Sequence, residues 1–102
     1  MAKVWITEFA RQGKDAAGYR MVVPEEPPLA NQTVNITAGS LASSAFNAST
    51  AFFRVHTDAI CSIEIGISPT ATATSKRMPA NTTEYFSVPP GKSYAIAVIT
   101  NV

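Results

Sequence analysis

The sequence predicts an all-β protein: a compact antiparallel β-sandwich of jelly-roll-like form, or a small barrel, with an extended N-terminal arm. Apolar residues recur with a period of two over most of the chain, as they do in strands that place one face on a core. These runs are short, and Pro, Gly and Asn separate them, as in turns. Many short strands between such turns are typical of antiparallel sandwiches and barrels.

The length of 102 residues fits a single domain, residues 1–102. Residues 1–30 supply a first strand and a proline-rich arm or connector, and residues 31–102 supply the sandwich core. A domain of this size buries roughly two thirds of the surface of its unfolded chain, which is enough for a core between two layers.

Charge and hydropathy exclude two classes of partner. Eight Lys and Arg residues stand against seven Asp and Glu residues, and both signs are spread evenly along the chain. Such a balance does not form the basic surface of a nucleic-acid-binding protein. No apolar run is long enough to span a membrane, and the first residues do not resemble a signal peptide. We therefore expect neither nucleic acid nor membrane as a partner, and a chain made and kept in a cytoplasm.

The first predicted strand covers residues 4–9 (VWITEF), with Trp5 and Phe9 on one face and Val4 and Ile6 on the other. Because both faces are apolar, we expect this strand to be covered on both sides.

The arm follows this strand. Residues 10–18 are polar and predict an exposed loop, and residues 19–23 (YRMVV) predict a short extended piece. Three prolines in residues 24–28 (PEEPP) exclude a helix interior and a central strand, so this segment predicts a stiff extended connector or arm.

Three further strands are predicted in the middle of the chain. Residues 33–37 alternate strictly. Residues 41–46 have the spacing of one helical turn, but their small polar residues favour a strand and a tight turn. Residues 51–56 predict a strand with Phe53 and Val55 inside.

The C-terminal half continues the alternation. Residues 59–66 predict a strand whose Ser62 and Glu64 face outward. Residues 68–76, rich in Ala and Thr, predict a loop or a weak edge strand. Residues 83–100 predict a hairpin around a Pro-Pro-Gly turn, and its last strand has the apolar pattern of a strand buried on both faces.

The residues able to carry chemistry do not form a catalytic or metal-binding pattern. His56 and its nearest acid, Asp58, lack a positioned Ser for a triad. The single cysteine, Cys61, excludes an internal disulfide and shares the parity of buried isoleucines, so it is expected in the core. The five glycines are too dispersed for a phosphate-binding loop. We expect no enzyme activity, no catalytic residue, no cofactor and no metal.

The order and spacing of several segments carry a resemblance to a known class of proteins. These segments are Phe46, residues 54–63 (RVHTDAICSI), residues 77–81 (RMPAN), residues 85–91 (YFSVPPG) and a last strand ending near residues 98–100. Over roughly residues 32–102 the chain resembles the small structural proteins found among the head genes of tailed bacteriophages, in particular head decoration (cement) proteins built on a compact β-sandwich.

The resemblance implies a function and a location. Such a protein binds the outside of a capsid, at contacts between capsomers of the major capsid protein, and stabilises the head. The expected location is the capsid exterior of the virion, with the host cytoplasm during assembly. A homo-oligomer, a trimer or a dimer, is expected as well.

The candidate partner interface combines the arm with outward residues of one strand. An extended arm can add to the edge strand of a neighbour through main-chain hydrogen bonds. Phe52 shares the outward parity of Arg54 and His56, which leaves an aromatic ring exposed or covered by a partner. The candidate interface residues are Tyr19, Met21, Val22, Val23, Pro24, Phe52 and Arg54.

The alternative function is a ligand- or carbohydrate-binding β-sandwich module displayed on a virion or cell surface. Such a module needs an exposed aromatic shelf, for which Trp5 and Tyr19 are the candidates.

Overall fold

The computed structural model describes residues 2–101, and these residues form ten β-strands and no helix. The strands of the N-terminal half are β1 (Lys3–Phe9), β2 (Gln12–Lys14), β3 (Arg20–Pro24), β4 (Ala30–Asn35) and β5 (Leu41–Ala42). The strands of the C-terminal half are β6 (Phe52–Thr57), β7 (Cys61–Gly66), β8 (Lys76–Met78), β9 (Thr82–Ser87) and β10 (Ala95–Thr100).

The strands form two four-stranded antiparallel sheets and one separate hairpin. The first sheet has the order β4-β1-β6-β9, the second sheet has the order β5-β10-β7-β8, and the hairpin pairs β2 with β3. Alternate side chains of the two sheets meet in one apolar core. The all-β prediction is therefore confirmed, and the architecture is the β-sandwich rather than the closed barrel. The largest fully buried apolar side chains are Phe53, Ile6, Ile63, Met78 and Ile96.

Strand β1 lies in the middle of the first sheet, between β4 and β6. Its inward side chains Val4 and Ile6 are buried in the core. On the outer face Phe9 is buried, with its ring stacked on Phe52 at 5.4 Å, whereas Trp5 is 38% exposed. The prediction that both faces of β1 are covered is thus correct at Phe9 and wrong at Trp5.

The N-terminal arm is a β-hairpin rather than a single extended segment. The predicted loop at residues 10–18 contains β2, which pairs with β3 through an irregular register. At the tip, the Asp15 carboxylate accepts the backbone N–H groups of Ala17 and Tyr19, both at 2.9 Å. Gly18 has φ of +88°, a left-handed conformation that glycine adopts without steric cost. Asp and Gly at these positions close the turn, and residues 14–23 are all exposed.

The proline-rich connector lies along the sandwich rather than free of it. The backbone N–H of Glu25 donates to the Arg11 carbonyl (3.0 Å), and the N–H of Leu29 donates to the Glu8 carbonyl (2.7 Å). The side chains of Arg11 and Glu25 also form an exposed ion pair at 2.9 Å. Of the two predicted alternatives for this segment, a connector or an arm, the structure shows the connector, because these bonds return the chain from the hairpin to β4.

A buried carboxylate joins the first sheet to the segment between β5 and β6. Glu8 lies on the core face of β1 and is 1% exposed. Its Oε1 accepts the N–H of Asn47 (2.7 Å) and the hydroxyl of Thr50 (2.8 Å), and its Oε2 accepts the side-chain amide of Gln32 (2.9 Å). Gln32 also holds the backbone of Ser44. Only Leu41 and Ala42 of the predicted strand at 41–46 are in a strand, because this network holds the following residues outside both sheets.

The last two strands do not form the predicted hairpin. Strand β9 pairs with β6 in the first sheet, whereas β10 pairs with β7 and β5 in the second. Residues 88–94 cross between the sheets, and the N–H of Val88 donates to the Ala51 carbonyl at 2.9 Å. Phe46 in turn donates its N–H to the Tyr94 carbonyl at 2.7 Å. The Pro-Pro-Gly segment is therefore a crossover at the end of the sandwich, where long-range bonds replace hairpin pairing.

Strand β10 is buried on both faces, as its pattern predicts. Its outer face at Ala97 is completely buried, because the loop between β7 and β8 crosses over it. The N–H of Ala71 donates to the Ser40 hydroxyl (2.9 Å) at one side of the sheet. The hydroxyl of Ser75 donates to Glu64 (3.0 Å) at the other. The small Ala and Thr side chains of this loop let it lie close to the sheet.

Ser62 faces outward from β7 as predicted, but it is completely buried. The same loop covers it, and the Asn101 side-chain amide donates to its hydroxyl at 2.6 Å and to the Ala73 carbonyl at 3.1 Å. Residues 67–75 are therefore a covering loop rather than an edge strand.

We expect Glu8→Gln to lower the free energy of unfolding by roughly 1–3 kcal/mol, because an amide N–H₂ would face the donor of Gln32 in a buried site. Gln32 cannot turn its amide without losing both of its bonds to Ser44. Urea denaturation of the purified protein measures the change. The control is Glu84→Gln in the edge strand β9, where the side chain is exposed. Equal stabilities of the two variants would contradict the bridging role of Glu8.

Candidate functional site

The hairpin carries four of the nine large apolar side chains that are exposed among the described residues. The exposed fraction is 93% for Val22, 74% for Tyr19, 48% for Val23 and 43% for Met21. Large apolar groups this exposed and this close together are uncommon on a monomeric surface and mark interaction sites.

Both faces of the hairpin are apolar. Tyr19, Met21 and Val23 are alternate residues and lie on one face, and Val22 lies on the other. Gly13 of β2 is beside Val23 and has no side chain to cover it. The hairpin therefore offers an apolar surface in two opposite directions.

An apolar cleft lies where the hairpin meets the outer face of the first sheet. Its volume is about 370 Å³, within the range of ligand and peptide pockets. We call it the hairpin cleft, and its lining residues are Gln12, Val22, Val23, Pro24, Phe52 and Tyr85.

Four of the seven candidate interface residues meet in the hairpin cleft: Val22, Val23, Pro24 and Phe52. The ring of Phe52 is half-buried, and Phe9 of the same chain covers part of it. Phe9 of β1 thus supplies part of the cover of a ring that was expected to be exposed or covered by a partner.

The other three candidates lie elsewhere. Tyr19 and Met21 do not line the cleft. Arg54 lines a second cleft, of about 360 Å³, on the outer face of the first sheet. We call this the sheet cleft, and it is lined by Trp5, Ile6, Thr7, Asn31, Gln32, Thr33, Arg54 and His56.

Tyr85 is an outward residue that the sequence pattern did not single out. Tyr85 is 53% exposed and stands beside Arg54 in the register of β9 and β6. Its parity is that of Thr83 and Ser87, whereas Phe86 packs against the core. The polar residues two positions away on either side, Thr83 and Ser87, are therefore the sequence signal that Tyr85 faces outward.

The two aromatics suggested for a shelf are not neighbours. Trp5 is in the sheet cleft and Tyr19 is near the hairpin tip. The ring of His56, not Tyr19, lies beside Trp5, with the ring centroids 5.8 Å apart.

His56 and Asp58 make separate bonds. His56 Nδ1 is hydrogen-bonded to the Thr83 hydroxyl at 2.8 Å, and Asp58 accepts the backbone N–H of Lys3 at 2.9 Å. Within residues 2–101 no group of three or more His, Cys, Asp or Glu side chains is placed to hold a metal ion. The absence of enzyme activity stays a prediction.

Cys61 lies in the core, with its Sγ donating to the Thr57 hydroxyl at 3.6 Å. Burial raises the pKa of this thiol; the hydrogen bond with the Thr57 side chain lowers it, and the negative charge of Asp58 raises it further. A buried thiol with a raised pKa is a poor nucleophile.

We expect Cys61 in the folded protein to react with a thiol reagent at least about tenfold more slowly than in the unfolded chain, because only the thiolate reacts. The measurement is the rate of iodoacetamide labelling at mildly alkaline pH, with and without guanidinium chloride. Equal rates in both conditions would show that Cys61 is accessible and ionised in the folded state.

No helix of the described part of the chain could cross a membrane. The chain matches no protein-family model, no curated protein and no solved structure. The resemblance to phage decoration proteins therefore stays a prediction from the sequence alone.

Proposed function

We propose that this protein is a non-enzymatic structural protein of a phage head that binds the capsid exterior and bridges neighbouring capsomers through its hairpin. The observation that carries the proposal is the cluster of exposed apolar side chains at Tyr19, Met21, Val22 and Val23. The resemblance of residues 32–102 to decoration proteins supplies the identity of the partner, the major capsid protein.

The hairpin cannot bury its apolar groups by itself. Two strands have no second layer to pack against, and a lone hairpin is only marginally stable in water. Each square ångström of apolar surface left in water is unfavourable by roughly 25 cal/mol, so a partner that covers this surface gains free energy.

Two faces and two edges suit a bridging role. Tyr19 and Met21 can contact one neighbour, while the hairpin cleft, which Val22 and Val23 line, receives a side chain or strand of another. Strand β3 pairs with β2 on one side only, which leaves its other edge for main-chain hydrogen bonds to a partner strand.

The sandwich supports the hairpin at a fixed position. Glu25 and Leu29 hold the connector against Arg11 and Glu8, at the base of the hairpin. A hairpin with a fixed base loses less conformational freedom on binding than a free arm, which favours affinity. The low charge of the chain, +1 in total, also permits close contact between many copies.

We expect the triple variant Met21→Thr, Val22→Thr and Val23→Thr to lose capsid attachment by at least about tenfold, since three apolar contacts are removed. Thr keeps the shape of Val and a high strand propensity, so the fold is retained. Co-sedimentation with heads that lack the protein measures attachment, and thermal unfolding monitors the fold.

The matched control is Ile67→Thr, because Ile67 is 65% exposed and follows β7 in the second sheet. Its attachment is expected to equal that of the parent. Undiminished attachment of the triple variant would contradict the proposal. The native mass of each variant in the same experiment shows whether the hairpin also contacts a second copy of the chain.

A further inference from the structure

The outer face of the first sheet displays aromatic and polar side chains in register. Trp5 stands between Thr33 of β4 and His56 of β6. In the next row, Arg54 stands between Thr7 of β1 and Tyr85 of β9. These two rows line the sheet cleft and its border.

Most charged groups of this face are cationic. The outward positions of β1 and β6 include Lys3, Arg54 and His56. Asp58, the acid beside this face, accepts the backbone N–H of Lys3 at 2.9 Å, and the glutamates of these four strands, Glu8 and Glu84, have the opposite parity. Arg54 forms no ion pair within residues 2–101. An unpaired guanidinium among neutral polar groups is complementary to a carboxylate, which it can bind through two parallel hydrogen bonds.

The remaining groups of the sheet cleft suit a saccharide. Trp5 is 38% exposed and presents a flat apolar surface to the C–H face of a sugar ring. Asn31 and Thr33 are exposed at the adjacent edge and carry donors and acceptors for hydroxyl groups. A cleft of about 360 Å³ that combines an aromatic surface with hydrogen-bonding side chains suits a saccharide better than a wholly apolar peptide.

We infer that the sheet cleft binds an acidic oligosaccharide, with a sugar ring on Trp5 and a carboxylate of the sugar on Arg54. Nucleic acid is disfavoured because its affinity comes from many phosphate contacts, and this face offers two fixed cations. The site is separate from the apolar hairpin residues Met21 and Val22, so it does not depend on the proposed capsid attachment.

Intrinsic fluorescence tests this inference directly, because Trp5 is the single tryptophan of the chain. Oligosaccharides of uronic acids are titrated into the purified protein, with neutral glucose oligosaccharides and single-stranded DNA as comparisons. We expect a saturable change in Trp5 emission with the uronic-acid oligosaccharides only. Calorimetry provides a second measurement that does not depend on the fluorophore.

The variant Arg54→Gln is expected to raise the Kd for the acidic oligosaccharide at least about tenfold, because a charge-assisted bidentate contact is lost. The matched control is Arg20→Gln on the hairpin, which removes the same charge from an exposed site and leaves the Kd unchanged. Trp5→Thr removes the stacking surface and abolishes binding in calorimetry, and thermal unfolding shows that each variant is folded.

Three results would overturn the inference. They are the absence of binding to any acidic oligosaccharide at millimolar concentration, equal affinity for neutral oligosaccharides, and an Arg54→Gln Kd equal to that of Arg20→Gln. Tighter binding of DNA than of the acidic oligosaccharide would assign the face to nucleic acid instead.

Discussion

The buried carboxylate of Glu8 is the constraint on which the rest of this structure depends. It projects from β1, in the middle of the first sheet, into the interior. It is bonded to Gln32 of β4 and to Asn47 and Thr50 of the segment between β5 and β6. A buried charge is tolerated only when its hydrogen bonds are satisfied, and here three donors satisfy it. The segment between β5 and β6, which links the second sheet to the first, is thereby held at one end of the sandwich.

This end of the sandwich is also the base of the hairpin. The backbone carbonyl of Glu8 accepts a hydrogen bond from the N–H of Leu29 in the connector, and the carbonyl of Phe9 accepts one from the N–H of Ala51. The stacked rings of Phe9 and Phe52 lie immediately outside, at the hairpin cleft. The segment between β5 and β6 is thus bonded to Glu8 and Phe9, and the connector at the base of the hairpin is bonded to Glu8. In the proposed function, a stable sandwich holds an apolar hairpin in the position where neighbouring subunits meet it.

The sequence predicts the local features of this fold and misses those that long-range contacts decide. The alternation of Phe53 and Val55 with Arg54 and His56 correctly predicts β6 and its two faces. The same rule could not show that β9 pairs with β6 instead of β10, because a Pro-Gly turn signal is identical in a hairpin and in a crossover.

The site is predictable to a similar extent. The hairpin residues were found because their apolar run lies beside prolines, but β2 has no alternation and includes Gly13, so its pairing with β3 was not visible. For the sheet cleft, the sequence identified Trp5 as a candidate binding residue but did not show which side chains stand beside it. Its partners Arg54 and His56 come from a strand about 50 residues away, and only the register joins them.

The most direct test of the central claim, that the hairpin is the attachment site, is hydrogen exchange on the free and capsid-bound protein. The account predicts that amides of residues 19–23 exchange rapidly in the free protein and are slowed at least about tenfold on the capsid, as expected for backbone groups that become buried or paired. Unchanged exchange at these residues, with new protection elsewhere on the sandwich, would contradict it.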